Sequence, residues 1–274
     1  MKAYGYGYSP IFRRVGSIDT QAQAFITAAG ITDPTQITAI NNLVVGLKGA
    51  SLWDKIIALW PFVGGSATSH KFNLKNPLDT DAAFRLAFSG GFTHNANGIT
   101  PNGVNGFADT FLSGADLTNN NTSWSIYSRT DATGDVRDMG AANGSGKGIY
   151  CFVKRTFGNG GFLSFQYEEP RVTFAAMPAS TKLIGASRTS STLHKSYRNG
   201  LPLASETTAN AFDITTMATK IVLCAYRATN GATPIDYSTK NLASAHIGLG
   251  FSDAEWVSFN TLIEAFQTTL GRNV

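Results

Sequence analysis

"HKSYRNGLPLAS", residues 194–205, is the stretch that decides the fold. Asn199-Gly200 stands between two short runs. A two-residue hairpin turn needs positive φ at both central residues, and Asn-Gly supplies it. The stretch is read as a β-hairpin, and its surroundings extend the pattern. From about 66 to 249, short segments rich in Val, Ile, Phe, Tyr and Thr are separated by Gly, Asn, Pro and Ser. They include AFRLAFSGG, TSWSIYSRT, GIYCFVKRTF, GFLSFQY, RVTFAA, KLIGASRT, KIVLCAYR and LASAHIGLG. In SWSIYSR, Trp124 and Ile126 share a face. Regular short strands with turn signals between them predict a sandwich or barrel. At this length a two-sheet jelly roll is favoured over a small barrel.

Helical signals flank the β region. DPTQITAINNLVVGLKG starts with Asp33 as N-cap and Pro34 at the first helical position. Gln36 is placed as a capping-box partner, Ile37, Ile40, Val44 and Leu47 form one apolar face, and Gly49 closes the helix. A shorter helix is expected over 19–29, ending at Gly30. SLWDKIIALWP is read as a further helix that must stop near Pro61. These helices are too short to stand alone, so they need a partner in the next domain or in another subunit, which argues for a homo-oligomer. At the other end, FSDAEWVSFNTLIEAFQTTLGRNV has Ser252 and Glu255 as a capping box and Phe251 with Trp256 as a hydrophobic staple. Trp256, Phe259, Leu262, Ile263, Phe266 and Leu270 make a wide apolar stripe over 251–271. The expected layout is an arm at 1–17, a helical attachment region at 18–62, and a sandwich with its C-terminal amphipathic helix at 63–274.

Bulk composition narrows the function classes. The chain has 274 residues, a net charge of +4, and only 15% charged side chains. Lys and Arg are scattered, and nucleic-acid binding would need a clustered basic face. MKAYGYGYSPIFRRVG lacks the apolar core of a signal peptide, and no run is long enough to cross a bilayer, so synthesis in the cytoplasm without membrane insertion is expected. Tyr4, Tyr6, Tyr8, Phe12, Arg13 and Arg14 enrich the first residues in the side chains of docking segments. Cys151 and Cys224 sit in strand-like runs and are read as small buried hydrophobes.

Catalytic motifs are sparse. AANGSGKG (141–148) fails the phosphate-loop spacing and is followed by a β-run. His70, His94, His194 and His246 are far apart in sequence, and none pairs with Cys or Glu at ligand spacing. Among the five glutamates, Glu168 and Glu169 are adjacent on a strand-like run and point to opposite faces. Glycoside cleavage needs two facing carboxylates, and no such pair is legible. Asp131, Asp135 and Asp138 do not match a Ca²⁺ loop, although acidic loops of a jelly roll can hold Ca²⁺ through oxygens. No other cofactor is implied. The remaining candidate is THNANGITPNGVNGFADT (93–110), a turn-rich connection. One reading is purely structural. The other is a glycan-binding loop through His94, Asn95, Asn102, Asn105 and Asp109, with Phe92 or Phe107 as an aromatic platform.

On the residues PFVGGSATSHKFNLKNPLDTDAAFRLAFSGGFTHNANGITPNGVNGFADT, SWSIYSRT, IGASRTSSTLHKSYRNGLPL and AHIGLGFSDAEWVSFNTLIEAFQTTLGRNV, the chain resembles a group of bacteriophage virion proteins. These are tail-fibre or other surface proteins with a concanavalin-like (laminin-G-like) jelly roll. The resemblance spans roughly 30–274, and SHKFNLK…RLAFSGGFTH and FQTTLGR are its most specific parts. It implies a non-enzymatic structural component of the virion: a tail-fibre, head-fibre or capsid-decoration subunit held by its N-terminal region against capsid, portal or tail proteins. Host attachment through a surface glycan goes with that role. A lectin-like carbohydrate-binding module and a glycan-degrading enzyme are the alternatives.

Overall fold

The computed structural model describes residues 17–154, 163–164, 179–209 and 211–274. Tyr4, Tyr6, Tyr8, Phe12, Arg13 and Arg14, and the strand-like run around Glu168–Glu169, lie outside the described residues. In chain order the strands are β1 (Ile56–Trp60), β2 (Ala87–Ser89), β3 (Phe92–Asn95), β4 (Gly98–Pro101), β5 (Phe107–Asp109), β6 (Thr122–Ser128), β7 (Met139–Ala142), β8 (Gly148–Cys151), β9 (Leu163–Ser164), β10 (Lys182–Ser190), β11 (Leu193–Arg198), β12 (Leu201–Glu206), β13 (Val222–Leu223) and β14 (Leu242–Gly248). The α-helices are α1 (Thr20–Ala28), α2 (Pro34–Gly49), α3 (Ala67–His70) and α4 (Asp253–Thr269). One sheet runs β12-β11-β10-β6-β14-β4-β3, with β1 also paired to β14; the other runs β2-β5-β13-β7-β8-β9. The pairings are antiparallel, and the protein is a mainly β sandwich with short N-terminal helices and one C-terminal helix.

The larger sheet is buried on both faces. Its inner face meets the smaller sheet in one core: Trp124, Ile126, Ile184, Ala186 and Ile247 pack with Met139, Ala141, Ile149, Cys151 and Leu223. Its outer face carries a second core under the helices: Tyr127, Leu183, Tyr197 and Ala243 pack with Phe25, Leu43, Leu47, Trp256, Phe259 and Phe266. Trp124 and Ile126 share the inner face as their spacing requires, while Tyr127 points outward. Cys151 and Cys224 are buried free thiols.

The hairpin at 194–205 forms with Arg198 opposite Leu201, and Asn199 and Gly200 take φ of 52° and 76°. Gly200 also lies against α4, where a Cβ would come within 2.8 Å of Asn260 Cβ. Gly185 of β10 opens the slot for the Trp256 indole, since a Cβ there would sit 2.5 Å from the ring. At the start of α4, the Ser252–Glu255 capping box closes in both directions, and Phe251 meets Trp256 edge to face at 5.5 Å.

Two expectations are corrected, one at SLWDKIIALWP and one at the ends of α2. SLWDKIIALWP is not a helix: Trp53–Lys55 make a single 3₁₀ turn, and Ile56–Trp60 are β1, paired with β14 from Ile56↔Gly248 to Trp60↔Ala245. Ala58 and Trp60 enter the inner core while Ile56 and Leu59 enter the outer one. A strand buried on both faces reads as an unbroken apolar run, which periodicity does not separate from a helix. Residues 18–62 contribute β1 to the larger sheet and α1 and α2 to its outer core. The buried faces of α1 and α2 pack within the chain, on each other, on α4 and on the sheet. Finally, α2 starts at Asp33 and Pro34 as expected, but Gln36 does not complete a capping box. Its side-chain oxygen accepts the Gly64 N–H at 2.8 Å, and the left-handed residue after the helix is Ser51 rather than Gly49.

The FQTTLGR ending has a structural reason. The Arg272 side chain is buried, and its guanidinium donates to the carbonyls of Pro61 (2.6 Å), Phe62 (2.8 Å), Ala243 (3.0 Å) and Ala96 (3.3 Å) and to Gln267 Oε1 (2.5 Å). Burial pushes its pKa down to about 9, and among the described residues no carboxylate pairs with it. One side chain thus ties α4, β1, β14 and the β3–β4 turn together.

Candidate functional site

The turn-rich stretch 93–110 spends its polar side chains on itself. Asn95 Oδ1 accepts the Asn97 N–H at 2.8 Å, closing the β3–β4 hairpin. Asn102 Oδ1 accepts three backbone N–H groups, from Val104, Asn105 and Gly106, at 3.0, 3.1 and 3.1 Å. Asn102 Nδ2 donates to Asn105 Oδ1, which also takes the Gly91 N–H at 3.0 Å. Asp109 pairs with Arg227 at 2.7 Å and accepts the Phe111 N–H at 2.8 Å. Phe92 packs on Phe88, and Phe107 lies under Arg227.

His94 has a partner that sequence spacing did not reveal. Its Nδ1 lies 3.0 Å from His70 Nδ1, with Phe88 edge-on at 4.6 Å and Phe62 beside His70 at 5.8 Å. Burial, reinforced by His94 and Arg272, pushes the His70 pKa down to about 3, and burial lowers that of His94. Both rings are neutral at pH 7, so one Nδ1 donates and the other accepts. His194 and His246 lie elsewhere, each buried with a pKa pushed down to about 3. Among the described residues no group of three or more His, Cys, Asp or Glu is placed to hold a metal. Asp131 is taken up by Lys154 and Ser180, and Asp138 by Lys240 and Ser238. AANGSGKG is the β7–β8 hairpin.

Among the described residues, two clefts are of similar size. One, of about 410 Å³, lies between β10–β11 and the start of α4. Its polar groups satisfy each other: Lys195 and Tyr197 both reach Asp253 at 2.8 Å and hold that carboxyl below its usual range. The other, of about 400 Å³, is lined by Asp81, Ala82, Phe84, Phe111, Asp116 and Lys220. Asp109 pairs with both Ala87 and Val222, so the start of β2, the end of β5 and the start of β13 lie side by side. Phe84, Phe111 and Lys220 leave from those three strand ends.

The backbone of this second cleft is strained. Phe84 and Phe111 both sit in the left-handed region, at φ of 57° and 58°. For a bulky side chain that is an outlier costing on the order of 1 kcal/mol or more. Each is held in place: the Phe84 carbonyl accepts the Trp60 indole N–H at 3.0 Å, and the Phe111 N–H is capped by Asp109. The Arg85 guanidinium lies 5.5 Å from the Phe111 ring centre and pairs with Asp81 at 2.8 Å. Asp116 uses one oxygen to accept the Ser113 N–H and hydroxyl, leaving the other oxygen uncommitted. The Lys220 ammonium makes no ion pair among the described residues. Half-buried aromatic faces beside an uncommitted carboxylate oxygen and ammonium suit a ligand that is apolar on one face and rich in hydroxyls at its edge. Sequence reasoning missed this cleft because positive φ at phenylalanine leaves no compositional mark. The one available signal is Asp109, two residues before Phe111, which is an Asx-turn spacing.

No family model and no curated protein matches the chain. Among solved structures it is similar to a mutant of Trypanosoma rangeli sialidase displaying trans-sialidase activity, with a TM-score of 0.52 and 12% identity. That match covers 83% of this chain and 39% of the sialidase, so the chain spans about two-fifths of that protein's length. It is also similar to domain 4 of AbnA, a GH43 extracellular arabinanase from Geobacillus stearothermophilus in complex with arabinotriose, with a TM-score of 0.46 and 15% identity over 75% of this chain and 98% of that one. At such identities the likeness is one of fold.

Proposed function

We propose that the chain is a non-catalytic, surface-displayed subunit of a bacteriophage virion that recognises a host-surface glycan at the cleft formed by Phe84, Phe111, Asp116 and Lys220. The observation that carries the recognition part is the cleft itself: three neighbouring strand ends hold two aromatic side chains in costly backbone conformations beside uncommitted polar groups. Strain kept at a cleft lined by half-buried aromatics fits service to a ligand. The virion part rests on the sequence resemblance of residues 30–274, with the N-terminal region as the anchor to other virion proteins. Both parts are tested separately. Mass spectrometry of purified particles must find the chain, and its absence would end the virion assignment. Titration of the purified protein with host-surface polysaccharide must show saturable binding that Phe111→Ala weakens about tenfold or more, the loss expected when an aromatic contact worth roughly 1–2 kcal/mol is removed.

A hydrolytic reading has one observation in its favour, since Asp81 and Asp116 line the same cleft. Glycoside cleavage requires one carboxyl kept protonated as the acid. Here Asp81 is engaged by Arg85 and Asp116 by Ser113, partners that suit structural carboxylates. Incubation with the polysaccharide and assay for new reducing ends separates the two readings: ends that appear with the wild type and vanish with Asp116→Asn would put the enzyme first.

A further inference from the structure

We propose that Asn230 is a site of spontaneous covalent modification, deamidating through a cyclic imide while the other described Asn-Gly pairs are protected by the fold. The reaction needs two free groups. The Gly backbone nitrogen, having lost its proton to solvent base, attacks the Asn side-chain carbonyl carbon. A C–N bond forms, ammonia leaves, and water then opens the ring to aspartate or isoaspartate. Anything that ties up the attacking N–H or fixes the amide slows it.

Each of the other described pairs is tied by hydrogen bonds or buried. At Asn102-Gly103 the amide oxygen accepts three N–H groups. At Asn105-Gly106 the attacking N–H itself donates to Asn102 Oδ1, and the Asn105 oxygen accepts two donors. At Asn143-Gly144 the Gly N–H donates to the Ala228 carbonyl at 3.0 Å, and the amide oxygen takes the Ser145 and Lys147 N–H groups. At Asn199-Gly200 the amide oxygen is buried and Gly200 is pressed against α4. At Asn97-Gly98, Gly98 is buried as the first residue of β4, paired with Asn95. Asn230 and Gly231 differ in every respect. Both are exposed, neither side-chain amide nor Gly N–H makes a hydrogen bond among the described residues, and nothing lies within 4 Å of where a Gly231 Cβ would be. The Ala232 N–H donates to the Thr229 carbonyl, and Gly231 has φ 76°, so Asn230 and Gly231 are the two central residues of an exposed turn. Asn159-Gly160 lies outside the described residues.

The test uses the unmodified protein, held in mildly alkaline buffer and mapped by tryptic digestion over time. The peptide between Arg227 and Lys240 isolates Asn230 as its only Asn-Gly pair. Asn230 is expected to convert about tenfold or more faster than Asn102, Asn105 and Asn143, the factor that one or two hydrogen bonds must contribute when they have to open first. The same chain in denaturant should lose the ranking. Conversion of Asn102, Asn105 or Asn143 at the rate of Asn230 in the folded protein would overturn the proposal. So would a folded-state order equal to the denatured one.

Discussion

The two ends of β5 behave in opposite ways. At its start, Asn102 and Asn105 present the polar groups a ligand would want, and both side chains are turned inward to hold the loop. At its end, a plain phenylalanine is forced into a left-handed backbone, and the polar groups around it are left outward. The first end satisfies the chain; the second leaves it with unspent interactions. What separates them is not composition but what holds the accepting side chain: Asn105, three residues away, for Asn102, and the distant Arg227 for Asp109. Asn102 finds its donors within four residues. Phe111 is fixed by Asp109, which Arg227 holds from the far side of the sequence.

Acid is the harshest way to break this comparison, because the hairpin before β5 rests on His70 and the cleft after it holds no histidine. The folded pKa of His70, His194 and His246 is depressed to about 3, below the 6.5 of the free side chain. The unfolded chain therefore takes up protons first. The stability these groups contribute is complete above pH 6.5 and is lost as pH falls toward 3. Each costs about 1.4 kcal/mol per pH unit, so the three together should remove about 6 kcal/mol between pH 6.5 and 5. Denaturant melts at pH 7 and pH 5 measure this. A flat profile would mean the rings are not held neutral, and amide exchange should show the β3–β4 hairpin opening before the cleft strands.

Asn102→Ala is the next largest effect, and it separates the loop from the site. Three N–H groups lose their acceptor at a partly exposed turn, where water replaces some of the loss. About 2 kcal/mol of stability is expected to go, with glycan affinity unchanged. Phe111→Ala should do the reverse: affinity falls about tenfold while stability moves by only about 1 kcal/mol, since the half-buried ring has little packing to lose and the backbone angle is unchanged. If both variants lose stability and neither loses binding, the cleft is structural too.

How much of this was legible follows the range of each interaction. The Asn199-Gly200 turn, the Asp33 cap and the Ser252–Glu255 box close within a few residues, and the sequence spells them out. The strand at Ile56–Trp60 was not legible, because burial on both faces erased the alternation that marks a strand. The Asn-rich stretch was legible as a chain of turns. Its inward amides were not, because Gly91 and Asn105 meet only once β2, β3 and β5 are placed. His70 with His94 and the Arg272 cage join residues that only the finished fold brings together. The cleft was least legible of all, since it is defined by backbone angles at two ordinary phenylalanines.

The smallest effect tests the joint between the two ends. Asp109 stood among the glycan-binding candidates, yet its two oxygens are committed, one to the Phe111 N–H and one to Arg227. Asp109→Asn keeps an oxygen that can accept from Phe111 and loses the charge opposite Arg227. If Asp109 is a prop, this variant should cost less than about 1 kcal/mol, the usual worth of a partly exposed ion pair, and bind glycan as the wild type does. Asp109→Ala, which frees Phe111, should weaken binding as Phe111→Ala does. If Asp109 instead touches the ligand through its charge, the asparagine variant will already show the full loss. Titrating the two variants side by side therefore assigns Asp109 either to the end of β5 that holds the fold or to the end that meets the ligand.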